Sequence, residues 1–177
     1  MRVIFRIFVL VVLFVALPAL TKSPAAQMTS DREVALRVAA SVREYTGFGI
    51  FDDVNVAAGD GTVTLTGAVT MPYKRDEIGA RVAKIDGVRQ VVNELRVLPV
   101  SKTDSDLRTR VAQAIYNHPD FLMYRTMAHP SIHIIVEGGR VDLTGSVANN
   151  VDRQLAFALA QQVPGTFGVK NNLRVDR

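Results

Sequence analysis

Gly61-Thr-Val-Thr-Leu-Thr-Gly-Ala-Val69 and Gly139-Arg-Val-Asp-Leu-Thr-Gly-Ser-Val147 are one pattern written twice, 78 residues apart. The match runs on without a gap to Val97 on Val175, with 14 identities in 37 positions. Asn93-Glu-Leu-Arg-Val97 falls on Asn171-Asn-Leu-Arg-Val175. This is an internal duplication. With only two copies, it excludes a long solenoid.

Working outward, each copy contains the same elements. Val34, Val38 and Val42 recur every four residues, as do Leu107, Val111 and Ile115. Each trio is the apolar stripe of an amphipathic helix. Thr29 or Ser30 is placed to cap the first of these helices, and Thr103 or Asp104 the second. The offset between the trios is 73 rather than 78, so copy two has five extra residues between helix and first strand. Short strands follow at Val54–Ala57 and Ile132–Val136. Gly59-Asp60-Gly61 and Gly138-Gly139 supply the positive-φ residues of hairpin turns. The second strands alternate Val63 and Leu65, or Val141 and Leu143, toward a core. A second helix spans Tyr73–Ile85 and Val151–Val163, with Gly87 and Gly165 as left-handed caps. A last strand alternates Val91, Asn93, Leu95 and Val97, matched by Val169, Asn171, Leu173 and Val175. The linker Leu98-Pro-Val-Ser-Lys-Thr103 is short enough that the copies are expected to touch, and a module of this size gains from pooled apolar surface.

Composition narrows the function. The chain has 177 residues, 21 Lys+Arg, 17 Asp+Glu, three His and no Cys or Trp. Without Cys, disulfide frameworks, thiol catalysis, iron–sulfur clusters, cysteine-ligated zinc and a lipidated N-terminal Cys are excluded. The net charge of +4 is unevenly placed. Arg2 and Arg6 precede an apolar run from Ile7 to Leu20, and Ser23-Pro-Ala25 follows. Residues 1–25 therefore read as an export signal cleaved near Ala25, or as an uncleaved membrane anchor. The leader holds three bases and no acid, so the remainder is only +1, divided as −1 over residues 26–98 and +2 over residues 99–177. No basic run or aromatic-studded basic stripe is left, which argues against nucleic-acid binding.

The pattern helix, V-x-V…G-x-V-x-L-T-G-x-V, helix, G-x-x-x-V-x-N-x-L-R-V resembles the BON domain. Its carriers are Gly61, Val63, Leu65, Gly67, Val69, Gly87, Val91, Asn93, Leu95 and Val97, repeated at Gly139, Val141, Leu143, Gly145, Val147, Gly165, Val169, Asn171, Leu173 and Val175. The resemblance covers Asp31 to Val175 and implies an α+β fold. Two tandem αββαβ modules, residues 29–98 and 103–177, would each pack a three-stranded mixed sheet on two helices. It further implies a non-enzymatic protein of the periplasm, soluble or held by an N-terminal anchor, that binds anionic phospholipid surfaces and supports the envelope under osmotic or other stress. The lipoprotein branch of the family needs a Cys after the signal, so the absence of Cys points to the osmotically induced branch. One departure is Thr166 where copy one has Val88, which predicts a looser turn before the last strand.

The candidate sites follow from differences between the copies. The extra segment in copy two contains Phe121, Leu122, Met123, Tyr124 and Arg125, with Met127 beyond. Apolar and aromatic residues around a base suit a lipid headgroup boundary, and the competing role is ordinary core at a helix end. Glu77 and Arg81 of copy one become Leu155 and Leu159, an apolar pair four residues apart that implies a covering partner, copy one or another protein. An alternative function is a periplasmic protein–protein adaptor recruiting a partner through that pair or a free sheet edge. No cofactor, metal or small-molecule substrate is expected. Asp52 and Asp53 diverge, no nucleophile motif is present, and Pro130 separates His129 from His133. Gly67 and Gly145 read as bulge or close-packing positions. Asn93 and Asn171 take inward-facing positions of the last strand and read as buried amides hydrogen-bonded to a neighbouring loop, and Arg75 and Arg153 read as salt-bridge or packing residues.

Overall fold

The computed structural model describes residues 24–176, so most of the leader lies outside the described residues. Among the described residues no helix is long and apolar enough to cross a membrane. Module one comprises α1 (Pro24–Arg43), β1 (Asp53–Gly59), β2 (Thr62–Val69), α2 (Pro72–Val82) and β3 (Gln90–Val97). Module two comprises α3 (Lys102–Tyr116), a 3-10 turn (Pro119–Phe121), α4 (Leu122–Thr126), β4 (Ile132–Glu137), β5 (Arg140–Val147), α5 (Asn150–Gln161), β6 (Gly168–Asn171) and β7 (Arg174–Val175). The predicted α+β architecture of two αββαβ modules is observed.

Each sheet is mixed. β1 runs antiparallel to β2, and β3 runs parallel to β2 after the α2 crossover. β4 and β5 repeat the hairpin, and β6 and β7 are successive pieces of one parallel strand in unbroken register against β5. The hairpins turn through consecutive left-handed residues, Asp60 and Gly61 at φ 49° and 71°, Gly138 and Gly139 at 59° and 74°. That geometry matches the right-handed twist of the strands it joins.

The valine trio of α1 packs on Val63, Leu65, Ile78, Val82 and Leu95. The trio of α3 packs on Val141, Leu143, Ala156, Ala160 and Leu173. Each such fully buried side chain contributes about 1.5–3 kcal/mol of transfer free energy, which makes these stripes the main source of each module's cohesion.

Three local expectations are corrected. α1 begins at Pro24 rather than at Thr29 or Ser30. α3 is capped by Ser101, whose hydroxyl accepts the Asp104 N–H at 3.1 Å. That leaves the Asp104 carboxylate free to accept the N–H groups of Gly138 and Gly139, each at 2.9 Å, and so to pin the β4–β5 turn to the start of α3. Gly87 and Gly165 do adopt φ 92°, but they stand several residues beyond the ends of α2 and α5, in the turn that leads to the last strand.

The modules meet along β4. The Ile134 N–H donates to the Ile50 carbonyl at 2.7 Å, so the loop before β1 lies against the edge of β4. Thr144 Oγ1 donates to Asp53 Oδ1 at 2.9 Å, and the His133 ring lies 5.2 Å from that of Phe48. Ala68, Leu98 and Ile135 form a small apolar cluster drawn from both modules and the linker. Ile50 and Phe51 of module one pack onto the core of module two.

Candidate functional site

The segment lengthened by five residues in copy two holds the 3-10 turn and α4. His118 starts the turn, and Pro119 follows with φ preset for it. The side chains then divide by direction. Phe121 is fully buried and Tyr124 is 2% exposed; both belong to the module-two core, with their rings 5.5 Å apart. Leu122 and Met123, on the opposite side, are 51% and 56% exposed. The expectation that all five residues face a membrane is therefore corrected for Phe121 and Tyr124. A one-turn helix must bury one face to hold its place, and these two aromatics are that face. Arg125 is exposed, with one hydrogen bond to Asn117 Oδ1 at 3.4 Å, and among the described residues it has no carboxylate in ion-pair range.

Tyr124 also fixes α4 by its hydroxyl. It donates to Asp152 Oδ2 at 2.5 Å and accepts the Ala148 N–H at 2.7 Å. Burial raises its pKa, so the phenol stays protonated at neutral pH. The bond to Asp152 also ties α4 to the first turn of α5, where Val151 is 73% exposed. The outcome is a rigid tip whose outward residues are Leu122, Met123 and Arg125, with Met127 just beyond.

Leu155 and Leu159 occupy a different place from the one expected. They are half-buried against the core of their own module, on α5, which packs beside α3. At the matching positions in module one, Glu77 accepts a hydrogen bond from the Tyr45 hydroxyl, and Arg81 Nε donates to the carbonyl and hydroxyl of Ser41. The leucines thus replace a polar helix–helix seam by an apolar one. The partner they implied is α3, where Ala114 is part of the same cluster.

Asn93 and Asn171 do make structural hydrogen bonds, but Asn93 is exposed and Asn171 half-buried rather than inward-facing, and their partners are helix carbonyls rather than a loop. Their Nδ2 groups donate to the carbonyls of Arg75 and Arg153 at 2.8 and 2.9 Å, tying the last strand to the second helix. Arg75 Nε lies 3.1 Å from Asp76 Oδ1. The Cβ of a residue replacing Gly67 or Gly145 would sit 2.2 Å from the Asp53 carbonyl oxygen or 2.0 Å from that of Ser131, so these glycines permit close strand approach. His129 and His133 both line an open cleft of about 910 Å³ beside the joint. His133 Nδ1 is 3.2 Å from the Gly49 carbonyl. Among the described residues no cluster of three metal-ligating side chains exists.

Sequence reasoning missed Asp52. It is fully buried and accepts from Gly49 N at 3.0 Å, Thr70 N at 2.8 Å, Thr70 Oγ1 at 2.9 Å and Lys74 Nζ at 2.7 Å. Apart from Gly49, its partners lie 18 and 22 residues away, and no local spacing announces them. The carboxylate holds in place the loop that carries Ile50 and Phe51 to module two.

Comparison with known proteins gives three findings. No curated protein matches the chain. Among solved structures, the chain is similar to the C-terminal domain of CdsD, the structural protein of the type III secretion system of Chlamydia trachomatis, at 16% identity and a TM-score of 0.33, covering 83% of this chain and 67% of that one. A second CdsD structure from Chlamydia trachomatis is similar at 12% identity and a TM-score of 0.30, covering 82% of this chain and 94% of that one. The BON domain family matches twice, over residues 30–99 and 103–177, and this is a non-catalytic domain type. The duplicated αββαβ modules, their shared Asn anchors and this double match together mean that the chain belongs to the BON domain family, as a tandem pair.

Proposed function

We propose that this tandem BON protein is a non-catalytic component of the cell envelope that docks on anionic phospholipid through the α4 tip of module two. The carrying observation is that Leu122 and Met123 stand exposed next to Arg125, which has no carboxylate partner among the described residues, on a helix held in place by Phe121 and Tyr124. Apolar side chains suit the acyl boundary and an exposed guanidinium suits the phosphates above it. Rigidity lowers the ordering cost of docking. BON domains are typical of envelope-associated proteins, which supports the same reading. Module one acts as scaffold, and the cellular consequence is support of envelope integrity under osmotic or other stress.

Vesicle flotation tests this. The full chain is mixed with vesicles of phosphatidylcholine alone or with one-third phosphatidylglycerol. Wild type floats with the anionic vesicles, less so at high salt. Leu122→Asp plus Met123→Asp leaves the fold intact and weakens flotation at least about tenfold, roughly 1.4 kcal/mol. Unchanged flotation of that variant overturns the site. If wild type fails to float while a defined envelope protein co-purifies with it, the adaptor function replaces this one.

A further inference from the structure

A second apolar feature lies beside the tip, at the joint between the modules. It is a hollow of about 340 Å³ walled by Ile50 and Phe51 from module one, by Ala112 and Tyr116 of α3, and by Pro130, with Arg125 at its margin. That volume is within the range of small-molecule sites. Neither module contains the hollow alone: the loop pinned by Asp52 supplies one wall and α3 the other.

Thr109, Gln113, Tyr116, Asn117 and Arg125 are the polar lining residues, and most of their groups are already engaged: Asn117 Oδ1 accepts from Arg125. The Tyr116 hydroxyl donates to the Ile132 carbonyl at 2.5 Å, so its ring is what remains for the hollow. The Ile50 carbonyl accepts the Ile134 N–H. Thr109, also on the wall, donates its hydroxyl to the Ser105 carbonyl. The charged lining residue is Arg125. An occupant that fits is a hydrocarbon chain carrying an anion at one end.

We infer that the hollow receives one acyl chain of an anionic phospholipid whose phosphate meets Arg125. The inference rests on the membrane-docking reading above through Arg125, which serves both the tip and the hollow. It adds a defined subsite to that surface contact. It also gives the tandem arrangement a purpose, since the subsite exists only where the two modules join.

The test uses the full chain and monomeric lysophosphatidylglycerol below its micelle concentration, measured by calorimetry, beside the vesicle flotation already described. Wild type binds the monomer at one site, and lysophosphatidylcholine more weakly. Thr109→Trp fills the hollow from an exposed helix position and weakens monomer binding at least about tenfold. Arg125→Glu, a surface change, does so without filling it. Leu122→Asp plus Met123→Asp weakens flotation as above yet binds the monomer like wild type. Flotation of wild type with no monomer binding overturns the subsite and leaves the docking reading standing. Monomer binding without flotation does the reverse. Wild-type affinity in Thr109→Trp, or equal affinity for the two headgroups, overturns the subsite.

Discussion

The Tyr124 hydroxyl and the Asp152 carboxylate, 2.5 Å apart, replace in module two the buried pair of Asp52 and Lys74 in module one. Lys74 and Asp152 are the same position of the repeat, and so are Thr70 and Ala148. In module one, the Thr70 N–H is accepted by Asp52; in module two, the Ala148 N–H is accepted by Tyr124. The five-residue insertion brings its own acceptor for the same backbone group and changes the sign of the charge on the second helix to suit it. Tyr124→Phe therefore leaves a backbone donor and a carboxylate without their partner, at a cost of about 2 kcal/mol. The expected outcome is a lower urea midpoint with unchanged slope, and flotation weakened less than in Leu122→Asp plus Met123→Asp, because the hydroxyl orders α4 without facing the membrane. A loss of flotation in a stably folded Tyr124→Phe protein as large as that of the double aspartate variant would mean that the hydroxyl itself meets the membrane.

Asp52→Ala is the more severe change. It removes the acceptor of four hydrogen bonds and leaves the largely buried Lys74 ammonium without its carboxylate. Breaking a buried pair from one side costs about 3–5 kcal/mol. Because the same carboxylate holds the loop bearing Ile50 and Phe51, the loss extends to the joint. Hydrogen exchange is expected to rise at Gly49–Phe51 and also across β4. Exchange confined to module one would mean that the modules are coupled elsewhere.

The repeat made the fold readable because strand pairing and helix stripes are local patterns: Val63 with Leu65, and Val34 with Val38, declare their elements without reference to anything distant. The joint was not readable. Its contacts, such as Ile134 to Ile50 and Thr144 to Asp53, link residues 84 or more apart in sequence, and the backbone groups among them carry no composition signal. The candidate site was half readable. The segment Phe121–Arg125 is unusual in both hydrophobicity and position, but which aromatics turn inward depends on the helical phase of a single turn, which the neighbouring core decides. Leu155 and Leu159 mark a real difference between the copies. The covering surface was the module's own first helix, because the polar seam of Tyr45, Glu77, Ser41 and Arg81 had no counterpart visible in sequence alone.

Gly145→Ala tests the repeated glycine directly. Its backbone is at φ 96°, and a Cβ there would sit 2.0 Å from the Ser131 carbonyl oxygen, backbone that cannot swing aside. Substitutions at such strained positions cost about 1–3 kcal/mol for the conformation alone, and the clash adds to it. Gly59→Ala is the matched control, since nothing lies within 4 Å of its added Cβ and its φ is not positive. Thermal unfolding is expected to drop clearly for Gly145→Ala and to stay near wild type for Gly59→Ala. Equal behaviour of the two would remove the close-approach explanation for the Leu-Thr-Gly motif.

His133 makes the joint sensitive to acid. Its Nδ1 faces the Gly49 carbonyl, which only accepts, so Nδ1 carries a proton. Burial is the largest influence on this group and lowers its pKa from 6.5; the Gly49 carbonyl and then Asp53 and Asp52 oppose that shift without reversing it. Because the folded-state pKa lies below the unfolded one, the unfolded chain binds more protons as pH falls through the mid-6 range. Stability is then lost on acidification and is fully present above the unfolded pKa. His133→Asn removes this contribution. The expected result is that wild type loses more stability than the variant between pH 7.5 and about 5.5, read from urea unfolding at each pH. The same interval should bring faster hydrogen exchange at Gly49–Phe51 in wild type alone. Parallel pH profiles for the two proteins would show that the ring at the joint titrates as it does in the unfolded chain.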